Sequence, residues 1–346
     1  MFALLVECVG GSWCVLSECS VRIEKDGGII VSNSVVIDGH GDVPTRVRVV
    51  THVHSDHTVN LASSVRSSYR IFGTHITLSW LPVLGYSIGS SMSLSYGSRV
   101  KVGDIYVELV KSHHIPGTAQ VLVESERGCR VLYSSDFKKP GVGTPIVEAD
   151  TLVVDAVYGR PSYVREFDDV IEVLLVDLVR QLLSEGSVYI YGYYGKINEV
   201  MELLRSGGID APFVLPPKVY MMTKKVESLG SRVGDYLLAG SREAEEVMRD
   251  GWYVYLDHTT RAQRRVPRGT NSVVLSGWEF EKPVRKLTTR TWHVAFSDHS
   301  DFRGLIYYVT QVRPSRVYVV KARSNGAEEF AAYLTKKLGI REVTVV

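Results

Sequence analysis

Hydrophobic and polar positions alternate along the first 50 residues. The segment Val21-Arg-Ile-Glu-Lys-Asp-Gly-Gly-Ile-Ile-Val31 reads as a β-hairpin with its turn at Asp26-Gly27. Short apolar runs at 35–37 and 46–50 predict two more strands, and the second leads directly into a histidine-rich string. Segments at 105–110, 120–124, 130–133 and 152–155 add four further β-type stretches. The pattern changes after Gly159. Residues 169–184 carry apolar side chains at helical spacing, and Gly186 stops them. A strand at 187–191 and a helix at 195–204 follow. Helix and strand alternate from 160 to 285, which implies an α/β unit with a parallel sheet. Beyond 287 the pattern predicts a helix near 302–311, a strand at 316–320 and a helix at 327–338. The expectation is an α/β chain whose β-rich domain (1–160 and 286–346) is interrupted by an α/β insertion at 161–285.

Composition narrows the class. The chain has 346 residues, 45% hydrophobic and 23% charged, which excludes a disordered or fibrous protein. A net charge of +2 is too balanced for nucleic-acid binding to be read from charge alone. The four cysteines, Cys8, Cys14, Cys19 and Cys129, form no C-x-x-C pair and read as free thiols. Asn and Gln together number nine, a depletion that fits a thermophilic source. No apolar run approaches the ~18 residues of a membrane span. The N-terminus lacks the basic region of a secretory signal. These features lead us to expect a cytoplasmic protein with no membrane partner.

Candidate chemistry concentrates in Thr51-His52-Val53-His54-Ser55-Asp56-His57. In an extended segment, residues i and i+2 share a face. His52 and His54 can therefore present two imidazoles to one metal, and Asp56 and His57 can face a second. Imidazole with carboxylate suits zinc, with manganese or iron also possible. Further ligands must come from elsewhere, and His114 and Asp136 both follow predicted strands. Asp38 also ends a strand and is a candidate to orient the site through hydrogen bonds.

The order Asp38, H-x-H-x-D-H, His114, Asp136 resembles the metallo-β-lactamase superfamily. Leu152-Val-Val-Asp155-Ala-Val-Tyr-Gly159 is similar to motif A of its β-CASP nuclease branch, and Phe296-Ser-Asp-His299-Ser-Asp-Phe302 to motif B. Within that branch the chain resembles short prokaryotic ligase-associated exonucleases, messenger-RNA 3′-end processing factors and Artemis-type DNA nucleases. The resemblance implies an αββα sandwich carrying an inserted α/β β-CASP domain. It also implies phosphodiester hydrolysis of DNA or RNA by a metal-activated hydroxide, in DNA repair or RNA processing with partner proteins of those pathways. RNA-type members carry a distal histidine at the end of a late strand. Here Val317-Tyr-Val-Val-Lys321 places a lysine there. A protonated lysine cannot ligate, so the expectation is one tightly held zinc and a second that is weak or recruited by substrate, with the Lys321 ammonium facing a phosphate.

Asp155 and His299 are the candidates for proton delivery to the leaving oxygen, with the carboxylate holding the imidazolium, and Asp56 is grouped with them. Residues 257–290 hold eight basic against three acidic side chains, and Arg264, Arg265 and Arg268 are candidate phosphate contacts. Lys196 starts a predicted helix behind Tyr191, Tyr193 and Tyr194, a setting that suits phosphate binding and base stacking. Two other readings remain at this point: a small-molecule hydrolase of the same superfamily, and a nucleic-acid-binding paralogue without activity.

Overall fold

The computed structural model describes residues 19–262 and 269–346, together with two short paired strands, Leu5–Glu7 and Trp13–Val15. Three larger sheets organise these residues. The first has six strands and runs from Val21–Ile23 through Ile29–Val31, Val35–Ile37, Val47–Val49 and Arg70–Gly73 to Ser91–Ser93. Its opening pair is the expected hairpin, antiparallel with Arg22 opposite Ile30, and Gly27 supplies the left-handed turn residue. The second sheet has seven strands. Its antiparallel half comprises Arg99–Val102, Ile105–Lys111, Ala119–Ser125 and Arg130–Tyr133. Its parallel half adds Thr151–Val154, Arg316–Val319 and Glu342–Val345.

These two sheets face each other. Ile29, Val31, Ile37 and Val49 from one pack on Val107, Val121, Val123 and Val131 from the other, giving a dry interior. Helices cover both outer faces. Phe302–Val312 and Ala327–Leu338 pack on the second sheet. Leu61–Arg66 and His75–Val83 pack on the first. The result is the expected αββα sandwich. Each late helix has a local cause: Asp301 caps Phe302–Val312 by accepting from Gly304 N at 2.9 Å, and Gly339 ends Ala327–Leu338 in a left-handed conformation.

The third sheet belongs to the intervening segment. Its order is Tyr236–Leu238, Phe213–Leu215, Val254–His258, Val188–Gly192, Asn271–Leu275, Thr291–Val294, Val284–Lys286. All its pairings are parallel except the last. Val188–Gly192 is buried along its whole length, as a central parallel strand must be. Helix Ile171–Leu183 lays Leu175, Val179 and Leu182 on this sheet. The sheet takes in Val284–Lys286 and Thr291–Val294, so its last hairpin runs past the boundary expected after 285. Among the described residues, no helix is long and apolar enough to cross a membrane.

The third sheet's unit is fastened to the sandwich at several points. Trp80 donates its indole N–H to the carbonyl of Met222 at 3.0 Å. Lys138 pairs with the buried carboxylate of Glu199. Gly195 approaches Ile115 so closely that an added Cβ would lie 2.5 Å from the Ile115 Cβ. That closeness brings the loop after Val188–Gly192 against the loop that carries His114.

Candidate metal centre

The strand Val47–Val49 delivers the chain to Thr51 and the histidine string at the rim of the sandwich. Asp38 sits there in a left-handed conformation with its carboxylate fully buried. One oxygen accepts from Thr51 N at 2.8 Å. The other accepts from Thr51 Oγ1 at 2.6 Å and lies 2.7 Å from His57 Nδ1. Burial pushes the Asp38 carboxyl up, but His57 beside it outweighs that and holds it below the usual carboxylate range. Asp38 is thus hydrogen-bonded to the His57 ring.

Four donors converge: His52, His54, His114 and Asp136. His54 Nδ1 lies 3.2 Å from His52 Nε2 and 3.1 Å from His114 Nε2. Asp136 Oδ2 lies 3.4 Å from His52 Nε2 and 3.5 Å from His114 Nε2. Tetrahedral nitrogen and oxygen ligands about 2.0–2.1 Å from zinc are about 3.3–3.4 Å apart, so this donor set fits one tetrahedral dication. Burial lowers the pKa of all three imidazoles, His114 to about 3, which favours the neutral ligating form. The far nitrogen of each ring is also held. His52 Nδ1 lies 3.1 Å from Thr51 Oγ1, His54 Nε2 lies 3.1 Å from the Tyr194 carbonyl, and His114 Nδ1 lies 2.8 Å from the Asp298 carbonyl. Such partners fix the tautomer and the ring plane.

A second group adjoins the first: His57, Asp136 and Asp155. His57 Nε2, Asp136 Oδ1 and Asp155 Oδ1 are buried and make no hydrogen bond. Asp56 lies at the opening, 3.5 Å from His57 Nε2 with its side chain 55% exposed. Asp155 is fully buried, and Tyr133 donates to its Oδ2. Burial raises the Asp155 carboxyl to about 6 against the opposing pull of Arg323.

His299 completes the floor from the other side. Its ring nitrogens lie 3.6 Å from Asp136 Oδ1 and 3.5 Å from Asp298 Oδ1. This corrects the expected pairing of His299 with Asp155: the carboxylates beside the imidazole are Asp136 and Asp298, while Asp155 sits behind Asp136 with His57. Lys196 also differs from expectation. Its side chain is 3% exposed, and its ammonium lies 3.1 Å from Asp298 Oδ1 and 3.2 Å from the Phe296 carbonyl. The lysine points inward from the first turn of its helix, and a phosphate would have to displace a buried carboxylate to reach it. Lys321 is a third correction. The strand ends at Val319, and a 3₁₀ turn at Lys321–Arg323 sends the lysine outward, where it pairs with Glu328 at 2.6 Å. The side chain that points inward is that of Arg323. Arg264, Arg265 and Arg268 lie outside the described residues.

His54, Asp56, Asp136, Asp298, His299 and Arg323 line a cleft of ≈ 980 Å³ between the sandwich and the third sheet's unit. Two large aromatic side chains, Tyr193 and Trp278, line it while half exposed. Trp278 packs edge-on against Tyr158 at 4.9 Å between centroids. Lys218 and His258 also line it, His258 edge-on to Tyr193 at 5.4 Å between centroids. The sequence reading missed Asp298, Arg323, Tyr133 and Trp278. Asp298 stands inside the motif B string and Arg323 two positions after Lys321, so both had a local signal. Tyr133 and Trp278 carried none.

A family model described as a Zn-dependent metallo-hydrolase RNA specificity domain matches residues 286–345. An uncharacterized protein in the lig 3′ region of Acidianus ambivalens is 46% identical over 132 residues, covering 38% of this chain and 94% of that protein. A probable DNA ligase from Opitutus terrae is 25% identical over 87% of this chain, which spans 29% of the ligase's length. An RNase J-like protein from Methanocaldococcus jannaschii is 19% identical with 97% of each chain covered. In fold, the chain is similar to a protein of unknown function from Enterococcus faecalis, with a TM-score of 0.61 at 13% identity over 87% of this chain and 78% of that one. With the metal-site geometry and the αββα sandwich, these likenesses establish that the chain belongs to the β-CASP nuclease branch of the metallo-β-lactamase superfamily.

Proposed function

We propose that the chain hydrolyses phosphodiester bonds at the floor of the cleft, with His52, His54, His114 and Asp136 holding zinc and His299 serving the leaving oxygen. The observation that carries this reading is the position of Asp136. Its Oδ2 belongs to the four-donor set, and its Oδ1 lies 3.6 Å from His299 Nδ1. When bound, a dication at the four donors polarises a phosphoryl oxygen and lowers the pKa of a water toward ~7. Manganese is compatible with the same imidazole and carboxylate set.

The remaining roles fall to side chains. His299 holds a proton at the cleft surface, with Ser297 Oγ fixing its backbone N–H and carbonyl at 3.0 Å each. Arg165 Nη2 donates to the same carbonyl at 2.8 Å, so the loop cannot swing away. Asp56 sits at the opening, where an incoming phosphate passes it, with the buried His57 beside it. Tyr193 and Trp278 present aromatic faces on which bases can stack. A relative named for a ligase gene region and another named RNase J-like point to DNA and RNA respectively. The substrate is a nucleic acid strand, attacked from an end in keeping with the resemblance to ligase-associated exonucleases. Repair or RNA-processing proteins would be the partners. A non-catalytic paralogue is disfavoured because every donor of the four-donor set is present.

The test is incubation with labelled single- and double-stranded DNA and RNA, with and without a 5′-phosphate, in Zn²⁺ and in Mn²⁺. Cleavage is expected for at least one of these, and His52→Ala should abolish it. Cleavage undiminished in that variant would sink the assignment.

A further inference from the structure

The turn after the late strand does more than carry Lys321 outward. It buries Arg323, whose guanidinium reaches across the sandwich rim and is held on every side. Nε donates to the Asp56 carbonyl at 3.2 Å. Nη1 donates to the Gly27 carbonyl at 2.9 Å and to the Tyr133 hydroxyl at 3.3 Å. Nη2 donates to the Asp38 carbonyl at 2.7 Å. Nη1 also lies 4.0 Å from Asp155 Oδ1. The hairpin turn leaves room for this group, because a Cβ on Gly27 would lie 3.1 Å from Arg323 Cζ. A guanidinium tied to three carbonyls and a phenol is not free to turn toward a phosphate. It is a fixed positive charge placed against the His57, Asp136 and Asp155 group.

That group is where a second metal would be expected, since His57 Nε2 lies 3.3 Å from Asp136 Oδ2, and neither His57 Nε2 nor Asp155 Oδ1 makes a hydrogen bond. An ion about 2 Å from Asp155 Oδ1 would stand no more than about 6 Å from Arg323 Nη1. Repulsion between a dication and a guanidinium at that distance weakens binding about tenfold with the full screening of water. At the effective dielectric typical of protein sites the loss is about ten-thousandfold. Asp155 already has the guanidinium as its counter-charge, and His57 has Asp38.

We infer that the buried Arg323 guanidinium takes the place of the second metal, leaving one tightly held dication at His52, His54, His114 and Asp136. This rests on the reading of those four residues as a metal centre. It also moves the compensating charge from Lys321, where the sequence suggested it, to Arg323.

The experiment is elemental analysis of the purified protein after exhaustive dialysis, followed by zinc titration by calorimetry. One retained equivalent is expected, with any second site at least tenfold weaker. Arg323→Met removes the charge at similar size, and Arg323→His adds an imidazole in its place. In either variant a second equivalent should bind at least tenfold more tightly than in the parent protein. Arg323→Lys keeps the charge, and Lys321→His changes only an exposed side chain, so both should retain one. If Arg323→Met and Arg323→His do not fold, the parent stoichiometry, Arg323→Lys and Lys321→His decide. Two tightly held equivalents in a parent protein that cleaves nucleic acid would overturn this inference and leave the nuclease reading standing. The inference also fails if folded Arg323→Met binds no second ion more tightly. A protein that retains no metal would overturn the centre on which both rest.

Discussion

Replacing Lys196 with methionine tests the buried pair beneath the motif B loop. The Lys196 ammonium lies 3.1 Å from Asp298 Oδ1, with the two side chains 3% and 4% exposed. At that separation and an effective dielectric of 20, the Coulomb attraction is about 5 kcal/mol. Little of it is lost to solvent screening, because both groups are buried. Removing one member of such a pair leaves an uncompensated charge and costs about 3–5 kcal/mol. Lys196→Met should therefore lower the melting temperature by roughly 6–20 °C, with a chain of this length nearer the lower end. Lys196→Met combined with Asp298→Asn should recover much of the loss, because no buried charge remains. Both variants should be read by thermal unfolding and by binding of a single-stranded oligonucleotide to metal-free protein as a function of salt. If Lys196→Met unfolds at the parent temperature while the salt dependence of binding flattens, then Lys196 grips phosphate and the structural role argued from its partners is wrong.

Two further predictions use other parts of the molecule. Glu199 is held below the usual carboxylate range: burial alone would raise it, but His113 and Lys138 outweigh that. A depressed folded value contributes stability that is full above the ordinary glutamate range and is lost as pH falls through the folded value. Glu199→Gln should lower stability at neutral pH and flatten the loss of melting temperature between about pH 5 and pH 3; an unchanged acid limb would refute the role of this pair. Trp278→Ala should weaken single-stranded oligonucleotide binding by about 1–3 kcal/mol, with Trp278→Phe retaining most of the affinity. Equal binding by the alanine variant in a fluorescence anisotropy titration would remove Trp278 from the substrate path.

The parts of the site legible in the sequence were those set by short-range geometry. His52 and His54 both reach the four-donor set, as their spacing suggested, although the chain bends at Val53 and His54, and Asp136 follows a strand whose apolar residues announced it. The helices Phe302–Val312 and Ala327–Leu338 were visible because their apolar faces repeat at 3.6 residues. The short helix Leu61–Arg66 and the helix His75–Val83, with Pro82 inside it, lacked a clear repeat and went unread. The placement of Lys321 and Arg323 was not legible either. Counting along an extended strand puts Lys321 at the site, but the strand stops at Val319 and the chain tightens into a 3₁₀ turn at Lys321–Arg323, and three residues per turn exchanges which side chain points inward. Lys196 failed for a related reason. Its position at a helix start was readable, but its partner Asp298 is 102 residues away, and no local pattern reports such a contact.

The hydrogen bonds to the ligand rings tie the metal centre to the third sheet's unit. His54 is oriented by the carbonyl of Tyr194, which lies on the loop after Val188–Gly192. His114 is oriented by the carbonyl of Asp298, which in turn is fixed by Lys196 from the helix Lys196–Ser206. Two of the three imidazoles therefore take their ring planes from groups that reach the centre only when that unit is docked on the sandwich. Loss of such partners costs about 10–100-fold in metal affinity or activity. The same loop presents Tyr193 to the cleft, and the strand Asn271–Leu275 leads to Trp278. The segment that would hold a nucleic acid strand thus also sets the geometry of the donors beneath it. A change that loosens its docking should lower metal retention as well as substrate binding, even where no ligand is touched.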